Sequence, residues 1–135
     1  MITGHVYRIP TALSNPPKTK IVLCVGNWFL WFNTEARQRP AQMAVKAGEA
    51  PGITKDCHLD CGRVTVFPPG ELAAAQDMGA CAHELLSRIA DEVENNATTL
   101  AGLFRREVPQ ILRDHVKSKE ETKSILSKLK AKKKV

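Results

Sequence analysis

Basic side chains in the loops of the first half of the chain have the chemistry needed to contact phosphate groups. The set consists of Lys18, Lys20, Arg37, Arg39, Lys46 and Lys55. If the fold brings several of them around one groove, they would bind the backbone of a nucleic acid. An ordinary solvated surface explains the same residues equally well, because residues 1–115 contain 12 Lys or Arg and 12 Asp or Glu and are neutral overall.

Cysteine and histidine, the usual ligands of zinc, form a second group of reactive side chains. Its members are Cys57, His58, Cys61, Cys81 and His83. On a strand, Cys57 and Cys61 would point to the same face about 13 Å apart, at 3.3 Å per residue. At that separation they could share neither one ion nor a disulfide, although a loop conformation would remove this objection. We predict buried, reduced cysteines, and neither a metal nor a cofactor.

Aromatic side chains are concentrated between positions 28 and 32, which contain both tryptophans of the protein. Strand alternation sends Trp28, Leu30 and Phe32 to one face, and Phe29 and Trp31 to the other. One face must fill the core. We predict that Phe29 and Trp31 form an interface on the opposite face, because soluble monomers seldom expose two large rings. The helical part of the chain, a second copy of the chain and stacked RNA bases are the candidate partners.

Five segments with strand-like patterns occupy the first half of the chain. They are residues 2–9, 20–25, 28–33, 42–46 and 57–67. Pro10 ends the first segment, and Gly26-Asn27, which separates the second from the third, is typical of a hairpin turn. Within the fifth segment the apolar positions shift by one residue at Gly62, which indicates a bulge or a sharp bend.

The second half of the chain changes to helical spacing. Leu85, Ile89 and Val93 predict an amphipathic helix over about residues 80–94, and Pro109 predicts the first turn of a last helix. We therefore expect an α+β fold in which a small SH3-like β-barrel, residues 1–77, precedes a helical cap, residues 78–115. Residues 116–135 are predicted to be a basic tail, partly disordered or a frayed helix.

Charge and composition narrow the classes of protein to which this chain can belong. It has 135 residues, of which 43% are hydrophobic and 25% charged, as in globular proteins. The last 20 residues contain eight Lys and two Glu and carry the whole net charge of +6. The basic pI therefore describes a tail and does not by itself identify a nucleic-acid-binding domain. Without an apolar run of membrane-spanning length or a signal peptide, we expect a cytoplasmic protein with no membrane partner.

The order of these elements resembles that of the PemK/MazF-like toxins of bacterial toxin–antitoxin systems. The similarity runs through GHVYRIP, KIVLCV, WFLWFNTE and PGITKDCHLDCGRV, so it covers about residues 2–67, and the helices match loosely. It implies a dimeric, metal-independent endoribonuclease that cleaves single-stranded RNA and is held inactive by an antitoxin protein. In such enzymes the 2′-hydroxyl of the RNA attacks the adjacent phosphate.

The resemblance also implies roles for individual residues. Thr34 matches the Ser or Thr that assists the reaction after the third strand, and Lys20 replaces the arginine expected before the second strand. A lysine neutralises phosphate as a point charge but cannot form the bidentate fork of an arginine. Lys18, Arg37, Arg39 and Lys55 are then the predicted RNA-binding residues. The missing arginine favours an alternative, a noncatalytic protein-interaction or nucleic-acid-binding module that retains the barrel.

Overall fold

The computed structural model describes the backbone of residues 1–133 and the side chains of residues 1–130. Strands β1 to β5 come first, followed by a short helix, a sixth strand and two longer helices. Their bounds are β1 His5–Thr11, β2 Lys18–Val25, β3 Trp28–Asn33, β4 Gln42–Val45, β5 Cys57–Thr65, α1 Pro69–Ala73, β6 Gln76–Ala80, α2 His83–Asn96 and α3 Gly102–Lys133. The prediction of an α+β fold is confirmed.

The six strands form one antiparallel sheet in the order β4-β5-β3-β2-β1-β6. Within residues 1–133 no hydrogen-bonded ladder joins β4 to β6, so the sheet is open. The predicted closure into an SH3-like barrel is therefore not confirmed. Strand β6 was not predicted from the sequence, and it adds to the free edge of β1, where it pairs over His5 to Arg8.

The predicted hairpin turn and the predicted bulge are both present in the sheet. Gly26-Asn27 joins β2 to β3, with Val25 paired to Trp28, and Gly26 has a φ of 62° that suits glycine. The predicted irregularity in the fifth strand is also confirmed. Between the pairs Phe29–Thr65 and Trp31–Asp60, the chain advances by two residues along β3 but by five along β5. Three extra residues of β5 therefore bulge around Gly62.

Two prolines lie inside a strand and a helix and not at the boundaries predicted for them. Strand β1 continues through Pro10 to Thr11, because the ladder with β6 stops at Arg8 and leaves β1 as an edge strand at Pro10. Helix α3 is continuous across Pro109, which was predicted to begin a helix. The neighbouring Val108 and Leu112 are fully buried, so tertiary packing outweighs the lost backbone hydrogen bond near the start of this helix.

The sheet has a hydrophobic core on each face. On one face, α2 and the first part of α3 cover the sheet, with Leu86, Ile89 and Leu112 fully or almost fully buried. On the other face a smaller core surrounds Phe29 and Phe67, together with side chains from β1 and β2. The segment that follows β5 folds back over this second face, so both faces of the aromatic strand β3 are covered by the chain itself.

The basic tail is helical through Lys133, and its side chains from position 117 to 130 are exposed. Residues 134 and 135 of the predicted tail lie outside the described residues. In the part of the chain that the structure describes, no helix combines the length and apolar composition needed to span a membrane.

Candidate functional site

An open cleft of about 460 Å³ lies at one end of the sheet. Because β3 is antiparallel to both β2 and β5, the start of β2, the end of β3 and the start of β5 meet at this end. The structure brings five of the predicted site residues together in the cleft wall. They are Lys18, Lys20, Thr34, Arg37 and Lys55.

The cleft has an excess of positive charge that the folded body as a whole lacks. Four of its side chains are cationic, and two, Glu35 and Asp56, are acidic. The Asp56 carboxylate accepts a hydrogen bond of 2.9 Å from the backbone N–H of Ala47. The net charge of the cleft lining is thus +2, within residues 1–115 that are neutral overall. Such a local excess attracts anions.

Lys20 is the least exposed of the cationic side chains in the cleft. Burial lowers the pKa of its ammonium group, and the positive charges of Lys18 and Arg37 lower it further. The Lys20 Nζ lies 5.5 Å from the centroid of the Trp31 ring, a cation–π contact that orients the side chain. Lys20 therefore has both a perturbed pKa and a defined position.

Hydrogen bonds hold Arg37 in the loop after β3. Its guanidinium Nη2 donates to Oδ1 of the buried Asn33 at 3.2 Å, and its backbone N–H donates to Oε1 of Gln42 at 2.9 Å. Thr34 is exposed between Asn33 and this loop. The positioning roles of Asn33 and Gln42 were not predicted, because they depend on how the loop returns to β4.

Arg39 does not line the cleft with the other predicted RNA-binding residues. Its Nε lies 3.0 Å from Oδ2 of Asp60, whose side chain is buried. The other Asp60 oxygen accepts hydrogen bonds from Nε2 of Gln42 at 2.7 Å and from the N–H of Gly62 at 3.1 Å. Arg39 thus neutralises a buried carboxylate, which would be costly to leave unpaired.

A smaller pocket of about 230 Å³ adjoins the cleft and shares Asn33 and Arg37 with it. Arg39 lines this second pocket together with Arg63 and Thr65. Arg63 and Thr65 were not predicted from the sequence. The only local signal for Arg63 was its place beside the glycine of the bulge. We call this the arginine pocket.

The prediction of an interface formed by Phe29 and Trp31 needs correction. Phe29 is only 2% exposed and packs edge-to-face on Phe67, with ring centroids 5.2 Å apart. It is therefore a core residue, and its assignment to an exposed interface is wrong. Trp31 is half-buried, stacks on Phe67 at 6.1 Å and has the Arg63 guanidinium 5.6 Å from its ring centroid. An interface role for Trp31 stays a prediction.

Cys57 lines the cleft, whereas the other three cysteines do not. Cys24, Cys61 and Cys81 are buried free thiols. Burial raises the pKa of the Cys24 thiol and of the Cys81 thiol to about 11, so neither is a reactive thiolate at neutral pH. Among the described residues, no three His, Cys, Asp or Glu side chains are grouped so that they could hold a metal ion.

The chain matches no protein-family model, and neither a curated protein nor a solved structure is significantly similar to it. A function for this protein therefore has to be argued from the cleft itself.

Proposed function

We propose that this protein binds single-stranded RNA in the basic cleft and cleaves it beside Lys20 and Thr34. The observation that carries the proposal is the convergence of Lys18, Lys20, Arg37 and Lys55 on one cleft of a body that is neutral overall. Lys18 and Lys20 belong to β2, whereas Arg37 and Lys55 come from two other segments of the chain. Phosphate contacts from lysine and arginine supply most of the affinity in sequence-independent binding of nucleic acids.

The choice of RNA as the substrate depends on the resemblance of residues 2–67 to PemK/MazF-like toxins. The SH3-like barrel, the homodimer and the controlling antitoxin protein of that family stay predictions for this chain. The cleft is consistent with a single strand, since its exposed threonines and its cationic side chains can contact an unpaired backbone.

The chemistry would be an internal transesterification. The ribose 2′-oxygen attacks phosphorus, the bond from phosphorus to the 5′-oxygen breaks, and the products carry a 2′,3′-cyclic phosphate and a 5′-hydroxyl. Lys20 stabilises the charge on the phosphoryl oxygens, and its lowered pKa makes it a better proton donor to the leaving oxygen. Thr34 positions the phosphate, and Glu35, which also lines the cleft, accepts the 2′-hydroxyl proton.

Binding is tested by fluorescence anisotropy with a short labelled oligoribonucleotide at several salt concentrations. The cleft variant Lys18→Ala/Lys20→Ala/Lys55→Ala is compared with a tail variant, Lys117→Ala/Lys119→Ala/Lys123→Ala, which loses the same charge. For three lost phosphate contacts, the negative slope of log K against log salt should decrease in magnitude by about 2 in the cleft variant. Equal losses in both variants would contradict binding in the cleft.

Cleavage is tested on the same RNA by product analysis for the cyclic phosphate. We expect Thr34→Ala and Lys20→Ala to abolish cleavage but not folding. Thr54→Ala is the matched control, since Thr54 is a second exposed threonine of the cleft wall. Binding without cleavage in the wild-type protein would select the alternative function, a noncatalytic nucleic-acid-binding module.

A further inference from the structure

The arginine pocket contains more positive charge than its one carboxylate can neutralise. Arg37, Arg39 and Arg63 line it, and Asp60 is its single acidic residue. Asp60 lies 3.0 Å from the Nε of Arg39, while the Arg37 guanidinium donates a hydrogen bond to the neutral amide of Asn33. Two guanidinium charges thus remain uncompensated in a pocket of about 230 Å³.

Buried hydrogen-bonding groups of this pocket lack partners. Thr65 is 8% exposed, and its hydroxyl oxygen has no hydrogen-bond partner among the described residues. The same is true of the indole Nε1 of Trp31, which also lines the pocket. Because buried polar groups in folded proteins are nearly always hydrogen-bonded, two unused groups in one pocket indicate that a ligand with acceptor oxygens completes it.

The arginine pocket is continuous with the basic cleft. Asn33 and Arg37 line both. The Trp31 ring connects them further, with the Lys20 Nζ 5.5 Å and the Arg63 guanidinium carbon 5.6 Å from its centroid. A ligand bound along the cleft can therefore place an anionic group in the pocket.

We propose that the arginine pocket is an anion subsite that takes one phosphoryl group. Arg37 and Arg63 supply the charged donors, and the Thr65 hydroxyl and Trp31 indole N–H supply the neutral ones. Arg63 is exposed, so its side chain is free to turn towards the anion. That the phosphoryl group belongs to RNA rests on the proposed function, whereas the anion chemistry of the pocket does not.

The test follows the indole N–H resonance of Trp31 by ¹⁵N-correlated NMR in the full chain. The protein has two tryptophans, so the variant Trp28→Phe assigns the two indole signals. Inorganic phosphate and a short single-stranded RNA are titrated separately. Both should shift the Trp31 signal and leave that of Trp28, which packs edge-to-face on Phe104 with ring centroids 5.0 Å apart.

The variant Arg63→Gln should raise the dissociation constants of phosphate and of RNA by about 10-fold or more, as expected for a lost charge-assisted hydrogen bond. Arg8→Gln is the matched control, because Arg8 is an exposed arginine of the same sheet and should leave both dissociation constants unchanged. Thr65→Val removes the hydroxyl with little change in shape and should also raise both. Unchanged affinities in Arg63→Gln would overturn the proposal.

The two probes separate the subsite from the proposed function. If RNA shifts the backbone signals of Lys20 and Thr34 but neither probe shifts the Trp31 indole, the subsite is wrong and the RNA cleft stands. If phosphate shifts the indole while RNA binds nowhere, the anion subsite stands with free phosphate as its ligand, and the proposed function is wrong.

Discussion

Under the proposed resemblance to PemK/MazF-like toxins, an arginine is expected at the position of Lys20, and the two side chains differ in more than shape. An arginine keeps its charge at any pH that a protein survives. The pKa of Lys20 is lowered by burial and by its cationic neighbours. The pKa of a lysine here therefore depends on its surroundings, which is not true of an arginine.

At the residue scale, we predict that Arg37→Ala raises the pKa of Lys20. The positive charge of Arg37 disfavours the ammonium form, so its removal makes protonation easier and moves the pKa back towards that of a free lysine. NMR titration of the Lys20 side-chain carbon next to the ammonium group measures the change. Arg106→Ala, an exposed arginine of α3, is the control, and equal shifts in both variants would show that Arg37 is not near enough to matter.

At the element scale, the bulge of β5 organises the cleft side of the sheet. It brings the N–H of Gly62 to Asp60, and Asp60 in turn lies against Arg39. A side chain at position 62 has no room, since an added Cβ would lie 2.6 Å from the carbonyl oxygen of Pro40. The bulge therefore requires glycine for close approach of the backbone.

We predict that Gly62→Ala lowers the free energy of unfolding by about 1–3 kcal/mol, because the loop carrying Pro40 must move to admit a methyl group. Urea unfolding gives the difference from the wild-type protein. Gly102→Ala serves as the control, since an added Cβ there meets no atom within 4 Å, and it should change the stability by less than about 0.5 kcal/mol. Equal stabilities for the two variants would contradict the tight packing at position 62.

At the scale of the whole molecule, the two parts of α3 differ: the first part packs in the core, and the later part carries most of the positive charge. Its first part is buried in the main core through Val108 and Leu112. Its later part carries most of the lysines of the basic tail and is exposed from position 117 to 130. His83 of α2 lies 3.7 Å from Glu120 in this exposed part, and surface pairs of this kind contribute little to stability.

We therefore predict that a chain ending at Val116 folds with a free energy of unfolding within about 0.5 kcal/mol of the full chain. Leu112→Ala, by contrast, should cost about 2–5 kcal/mol, because it opens a cavity in the core. The shortened chain should still bind RNA, because the proposed phosphate contacts lie in the cleft. Loss of stability on shortening would show that the exposed part of α3 packs against the body.

Some of the cleft residues could be predicted, because their chemistry depends on the residue type and on neighbouring residues in the sequence. A lysine, an arginine or a threonine in a polar loop can be identified from the residue type alone, and the hairpin at Gly26-Asn27 already brings the start of β2 beside the end of β3. Lys20 and Thr34 meet in the cleft for this reason. The role of Arg39 could not be predicted, because it depends on Asp60, which reaches it only through the register of β5.

By itself, the sequence determined the class of the fold, the hairpin, the bulge at Gly62 and the partition of charge between a neutral body and a basic tail. Each of these depends on alternation, turn chemistry or composition within a few residues. Tertiary structure alone decided that Phe67 covers Phe29, that β6 extends the sheet beside β1 and that α3 runs through Pro109. These outcomes depend on packing between segments that are distant in the sequence. The free energy of that packing outweighs local preference, and the spacing of neighbouring residues does not reveal it.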